Sequence, residues 1–338
     1  MDLGKLEIKT LNSQDNIFIW TEGINCGPIL ENALKSFDKY HKNLTINIFI
    51  DQNSQIFYQP RNNTFNYIKI SELDKSKFNS GHYGTASLWS NIIKNSSAKY
   101  FIHFDSDVIF FKNIVENVVE KIYQGYDLIG PIRNYKNNPY NIERYRTLPD
   151  TVSTYLFAFN KKKINKKFLS NNLINFFKIF NMNNLNIKND LINFNTDYLT
   201  SIILGNNPNK IRFIDFFDPV SYEIISNGGK IYIIDPDLVG GCDHLGKRAT
   251  SFSNLNNLDD EFKIDYGSAM CHFSSVGSGY HFENNPNKIK NIPNSYVKYA
   301  INRYNLYKYL TLNDNQVLDI QEFKYFHDFE KFRKNFLY

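Results

Sequence analysis

Short apolar runs alternate with stretches of helical spacing through the first third of the chain, and this alternation limits the fold more than any other feature. NIFIW at 16–20, LTINIFI at 44–50 and KYFIHF at 99–104 are continuous enough to be strands buried on both faces. Between the first two, Pro28 opens a pattern in which Ile29, Ala33, Phe37 and Tyr40 recur at helical spacing, with Leu30 and Leu34 beside them. A further strand is expected at 66–70. An amphipathic helix is expected over 81–95, with Leu88, Trp89 and Ile92 on its apolar side. Strand–helix–strand order of this kind predicts an α/β fold, a mixed, mostly parallel sheet flanked by helices. In such sheets ligands gather beyond the carboxyl ends of the strands. Thr21 and Glu22, then Asp51, then the pair Asp105 and Asp107, all fall at such ends.

The run KYFIHFDSDVIFF at 99–111 stops at two aspartates one residue apart and then resumes. In an extended backbone alternate side chains share a side, which puts Asp105 and Asp107 together and Ser106 opposite. Two adjacent carboxylates repel unless a cation lies between them. Hard oxygen donors suit Mg²⁺ or Mn²⁺, ions that also hold phosphates.

The second half is less regular. Helices are expected at 114–124, 196–204 and 220–226, and strands at 127–130, 152–159, 211–214 and 230–234. Residues 160–185 read as a Lys/Asn-rich helical excursion with Phe176, Phe177 and Phe180 on one face. Beyond about residue 255 the alternation is lost, and 295–310 and 321–338 read as aromatic helices. The last of these carries Phe323, Phe326, Phe329, Phe332 and Phe336 with interleaved Lys and Arg. Packing on its own domain is the ordinary reading of such a helix. Contact with a membrane surface is the less favoured one.

At 338 residues the chain has room for one large α/β domain with an appendage, or for two ordinary domains. The net charge of +5 is spread along it, which permits an anionic substrate and gives no ground for a nucleic-acid partner. The three cysteines, Cys26, Cys242 and Cys271, have no C-x-x-C spacing, so neither a zinc site nor a disulfide framework is expected. The opening residues MDLGKLEIKTLNSQD hold no apolar signal core, and no stretch nears the ~20 apolar residues of a membrane span. A soluble, cytoplasmic protein is the expectation.

Two segments carry a family resemblance. The stretch NSGHYGTASLW at 79–89, leading to FDSDV at 104–108, resembles the GT-A fold glycosyltransferases. It is similar to the family-2-like pattern of a Gly/Ala-containing helix just before a strand that ends in Asp-x-Asp. The second segment runs from Asp218 to Gly246: an acid opens a helix, the helix closes on Gly228 and Gly229, a strand follows, and His244 comes shortly after. The resemblance covers roughly residues 16–246 and is sharp only at these two places. It implies a metal-dependent transferase of the hexosyltransferase type, with a UDP-sugar favoured as nucleotide-sugar donor. Its acceptor would be a glycan, a protein or a small molecule.

The resemblance also assigns residues. Metal ligation falls to Asp105, Asp107 and His244, with His272 (in MCHFSSVGSG) competing for the third position. Thr21, Glu22, Asp51, Gly81, Gly84, Trp89 and Ser106 are the implied nucleotide-sugar contacts. Asp218 is the implied catalytic acid residue, with Asp197 second. Acting as a base on the acceptor hydroxyl, Asp218 would give inversion. Both acids also suit a helix start, where the macrodipole favours them. The hydroxyls of VSTYLFAFN at 152–160 are candidates for sugar contact, though a core strand is the ordinary reading. The implied division is a GT-A catalytic domain over 1–250, with a nucleotide-sugar half at about 14–112 and an acceptor half at 113–250. A C-terminal extension over 251–338 follows.

Two other readings stand beside it. Haloacid-dehalogenase-like phosphohydrolases also place Asp-x-Asp after an apolar strand, with Asp105 then the nucleophile, Asp107 the acid/base and Asp259-Asp260 a metal pair. That family's pattern wants Thr or Val where Ile109 stands, and its motif usually opens the domain. The third reading is a non-catalytic sugar-binding protein on a transferase fold.

Overall fold

The computed structural model describes residues 16–24, 26–51, 56, 58–70, 88–89, 91–131, 152–164, 218–235, 238–241, 269–273 and 276–285. It also describes isolated helical positions between 297 and 311. The helices expected at 196–204 and 321–338, the strand at 211–214 and most of the 160–185 excursion lie outside the described residues.

In chain order the elements are β1 (Ile17–Gly23), α1 (Ile29–Tyr40), β2 (Thr45–Ile50), β3 (Thr64–Lys69), β4 (Tyr100–Phe104), β5 (Val108–Phe110), α2 (Val115–Tyr123), β6 (Leu128–Pro131) and β7 (Leu156–Asn160). A single 3-10 turn at Lys161–Lys163 follows, then α3 (Asp218–Ser226), β8 (Ile231–Ile234), β9 (Val239–Gly241), β10 (Met270–His272) and α4 (Val276–Asn284). Residues 88–89 and 91–95 are helical, as expected, and so are the described positions between 297 and 311.

Seven strands form one sheet in the order β3-β2-β1-β4-β7-β6-β8. The β1–β2, β2–β3, β1–β4 and β6–β8 pairs are parallel. Strand β7 is antiparallel to both of its neighbours, β4 and β6. The mixed, mostly parallel sheet with flanking helices is the α/β architecture expected from the sequence. The inner strands are largely apolar on both faces because both are covered. On one face Ile19, Ile48, Ile102 and Phe104 meet Leu30, Ala33, Leu34 and Phe37 of α1. On the other, Trp20, Phe101, Phe157 and Phe159 meet Leu88, Trp89 and Ile92, and Val220 and Ile224 of α3.

A second, three-stranded sheet has the order β5-β10-β9. Its strands are three residues long, too short to show a period, and β10 lies where the sequence alternation is lost. Strand β10 lies on the C-terminal side of the division expected at residue 250, yet it is hydrogen-bonded between β5 and β9. The helix through Ala300 and Tyr307 also joins the body. The Tyr307 hydroxyl donates to the Ile29 carbonyl at 2.9 Å. Gly279 of α4 lies so close to the Ala300 carbonyl that any Cβ there would overlap it. Among the described residues no helix is long and apolar enough to cross a membrane.

The amino-terminal edge of the main sheet is tied by two buried polar residues at the end of α1. The Asp38 carboxylate accepts from the Tyr58 hydroxyl at 2.7 Å, the Arg61 amide at 2.8 Å, the Asn62 amide at 3.0 Å and the Asn63 side chain at 2.9 Å. Burial pushes its pKa up, but these hydrogen bonds outweigh burial and hold it below the ordinary carboxylate value. His41 donates from Nδ1 to the Phe37 carbonyl at 2.9 Å and accepts at Nε2 from the Val115 amide at 3.3 Å. The imidazole thus satisfies the Val115 amide, an orphan donor in the first turn of α2, and ties it to the last turn of α1. Acceptance at Nε2 requires the neutral ring, and burial lowers its pKa to about 4.

Candidate metal centre

Strand β4 is central in the main sheet, and Asp105 stands at its carboxyl end. The chain does not stay extended there: residues 106–107 form a turn before β5 begins. Strict alternation is therefore not what brings the two aspartates together. The turn is required because β5 leaves the main sheet to pair with β10. The backbone on either side is held, with the Asp105 amide donating to the Tyr155 carbonyl at 3.0 Å and the Phe273 amide to the Asp107 carbonyl at 2.8 Å.

The antiparallel register of β10 on β5 sets His272 opposite Val108, beside that turn. Its Nε2 lies 3.2 Å from Asp107 Oδ1 and 3.7 Å from Asp105 Oδ2. The imidazole is buried, while the Asp105 and Asp107 side chains are 30% and 19% exposed, so the cluster opens on its carboxylate side. One donor atom from each of the three lies within 4.8 Å of the others. An octahedral ion with bonds of about 2.1 Å sets neighbouring donors about 3 Å apart and opposed ones about 4.2 Å apart. The observed spacings fall close to that range, and two carboxylates with one imidazole are a suitable donor set for a divalent cation. Asp105, Asp107 and His272 therefore fit a metal ion.

Two residues behind the cluster were not singled out in the sequence. Tyr155, 1% exposed, stacks on the His272 ring with centroids 4.5 Å apart and planes 12° apart. His103 is fully buried in β4, two residues before Asp105 and on the same side of the strand. Its Nδ1 is 3.2 Å from the Thr154 carbonyl and 3.8 Å from Asp105 Oδ1, and its Nε2 is 2.9 Å from Glu22 Oε2. A histidine inside an apolar strand, at even spacing from the aspartates, was the signal that could have found it.

Glu22 is turned inward. Besides His103 it accepts from Trp89 Nε1 at 2.8 Å, so these two expected nucleotide contacts are bonded to each other within the protein. Thr21 is fully buried and shares the α1-side face of β1 with Ile19. Asp51 lies just past β2, nearly buried, its amide donating to the Gly23 carbonyl at 3.3 Å. Ser106 is partly exposed in the turn between the aspartates. Asp218 opens α3, and its side chain is outside the described residues, as are Gly81, Gly84, Asp197 and His244. Of the expected ligands, then, the structure brings together Asp105, Asp107 and His272.

No family model matches the sequence, and no curated protein matches it. Among solved structures the chain is similar to the apo form of mouse xyloside xylosyltransferase 1. The TM-score is 0.42 at 12% identity, over 76% of this chain and 97% of that one. It is also similar to the galactosyltransferase LgtC in complex with donor and acceptor sugar analogs. There the TM-score is 0.40 at 12% identity, over 75% of this chain and 86% of that one. These neighbours are glycosyltransferases, the class of protein that the sequence resembles.

Proposed function

We propose that the chain is a metal-dependent glycosyltransferase that moves a sugar from a nucleoside-diphosphate sugar, with UDP-sugars the first candidates, to an acceptor hydroxyl on a glycan, a protein or a small molecule. The observation that carries this reading is the convergence of Asp105, Asp107 and His272 at the carboxyl end of the central strand, open to solvent on the carboxylate side. In this reading the three hold Mn²⁺ or Mg²⁺, with His272 rather than His244 in the third position. When bound, the ion supplies a Lewis acid against the charge that grows on a diphosphate leaving group.

The protein's own groups do the rest. Asp51 marks the strand end over which the nucleoside lies, and Thr21, fully buried inside β1, supports that end without touching the nucleoside. Glu22 and Trp89, bonded to each other, support that surface, and Ser106, Gly81 and Gly84 stay candidates for contact with the donor. Asp218 removes the acceptor proton, with Asp197 the second candidate, and the sugar inverts. The catalytic body in this reading includes β10, so the extension begins beyond the strand that bears His272.

The test is a panel of nucleotide sugars incubated with the protein and Mn²⁺, reading release of the nucleoside diphosphate and the anomer of the product. The expected result is release from one donor class, abolished by EDTA, with inversion at the anomeric carbon. Net retention would take the base role from Asp218. Release that ignores EDTA, or hydrolysis of a generic phosphate ester with no donor turned over, would contradict the transferase reading.

A further inference from the structure

We infer that Tyr155 is a positioning residue of this centre: its ring fixes the plane of the His272 imidazole so that Nε2 faces the two carboxylates. The inference rests on the reading that Asp105, Asp107 and His272 bind a divalent cation. A histidine ring turns about a terminal torsion whose wells are broad and roughly two-fold, so the backbone alone does not choose the ring plane. A partner lying face-on does. Tyr155 is such a partner, nearly parallel to His272 at 4.5 Å, and both residues are buried.

Tyr155 is itself held by the sheet. Leu156, the next residue, is paired with Phe104 in the β4–β7 ladder, and the Tyr155 carbonyl accepts from the Asp105 amide. One residue thus touches the carriers of two ligands, by its backbone at Asp105 and by its ring at His272. Two of the three ligands come from the β4–β5 turn, and the third arrives on a strand more than 160 residues later. The Tyr155 ring aligns that late ligand with the early pair. The same side chain was expected only to pack in the core or to offer its hydroxyl to a sugar.

The test is Mn²⁺ titration of the whole chain, with free Mn²⁺ read by electron paramagnetic resonance. Wild type is compared with Tyr155→Phe, Tyr155→Met and Tyr155→Leu, and with Tyr155→Met in a His272→Asn background. Tyr155→Phe keeps the stacked face and should bind within about twofold of wild type. Tyr155→Met and Tyr155→Leu fill the space without a face and should bind about 10-fold more weakly, the usual scale for a group that orients a metal ligand. Two replacements are used so that a folded one remains if the other unfolds.

In the His272→Asn background no imidazole plane is left to fix, so the methionine replacement should add no further loss. A merely structural role would weaken binding equally in both backgrounds. Wild-type affinity in folded Tyr155→Met or Tyr155→Leu, or an equal loss in the two backgrounds, would overturn the role of Tyr155 and leave the metal centre standing. Absence of Mn²⁺ binding in wild type would overturn both.

Discussion

One carboxylate, Asp38, and a pair, Asp105 and Asp107, lie toward opposite ends of the strands of the main sheet, and they are built in opposite ways. At the amino-terminal end Asp38 is 1% exposed and receives hydrogen bonds from Tyr58, Arg61, Asn62 and Asn63. At the carboxyl end Asp105 and Asp107 are partly exposed and converge with His272, two like charges set around one imidazole. Asp38 gathers donors from the connection that leads into β3 and so joins α1 to that end of the sheet. The Asp105 and Asp107 backbones bond to Tyr155 and Phe273, and their carboxylates are grouped beside His272 at the mouth of the cluster. A carboxylate surrounded by donors from its own chain serves the fold. Carboxylates forced together at a strand end cost stability unless a cation joins them.

This contrast predicts mirrored effects. Asp107→Ala should lower metal-dependent turnover by roughly a thousandfold, on the order of 4 kcal/mol, while leaving the unfolding midpoint without metal unchanged or slightly raised. Asp38→Ala should do the reverse. Loss of the common acceptor removes four part-buried hydrogen bonds and should cost roughly 2 kcal/mol of stability, while Mn²⁺ affinity of the folded protein stays at the wild-type value. Chemical denaturation and metal titration on the same two variants check both halves. Equal loss of stability in the two would erase the distinction.

A smaller effect comes from His41. Its folded-state pKa, about 4, lies below the ordinary 6.5, so the unfolded chain binds the extra proton between those values. The contribution of the neutral ring is fully present above pH 6.5 and is lost as pH falls toward 4. Between pH 7 and pH 5 the loss is about 2 kcal/mol. Denaturation midpoints across that window should fall in wild type, and a His41→Asn variant, less stable throughout, should show a shallower slope.

Much of the frame was legible because its elements are long enough to carry a period. The apolar runs of β1, β2 and β4 and the helical spacing of Ile29, Ala33 and Phe37 needed no structure to be recognised. The aspartate pair was legible as a break in an apolar run. The second sheet was not, because β5, β9 and β10 are each three residues long and owe their form to one another across large separations in sequence. His272 rides on that sheet, which is why it stood in the sequence only as a rival to His244. His103 and Tyr155 were hidden for another reason. Each sits inside an apolar run, where packing is the ordinary explanation of a ring, and only tertiary geometry shows what each ring faces.

The most direct test of the central claim is a count of Mn²⁺ ions bound to the whole chain, made on wild type and on Asp105→Ala, Asp107→Ala and His272→Ala. One site per chain in wild type, weakened in all three variants while each keeps its fold, is the predicted result. A site that survives all three substitutions unchanged, or no site in wild type, would contradict the account.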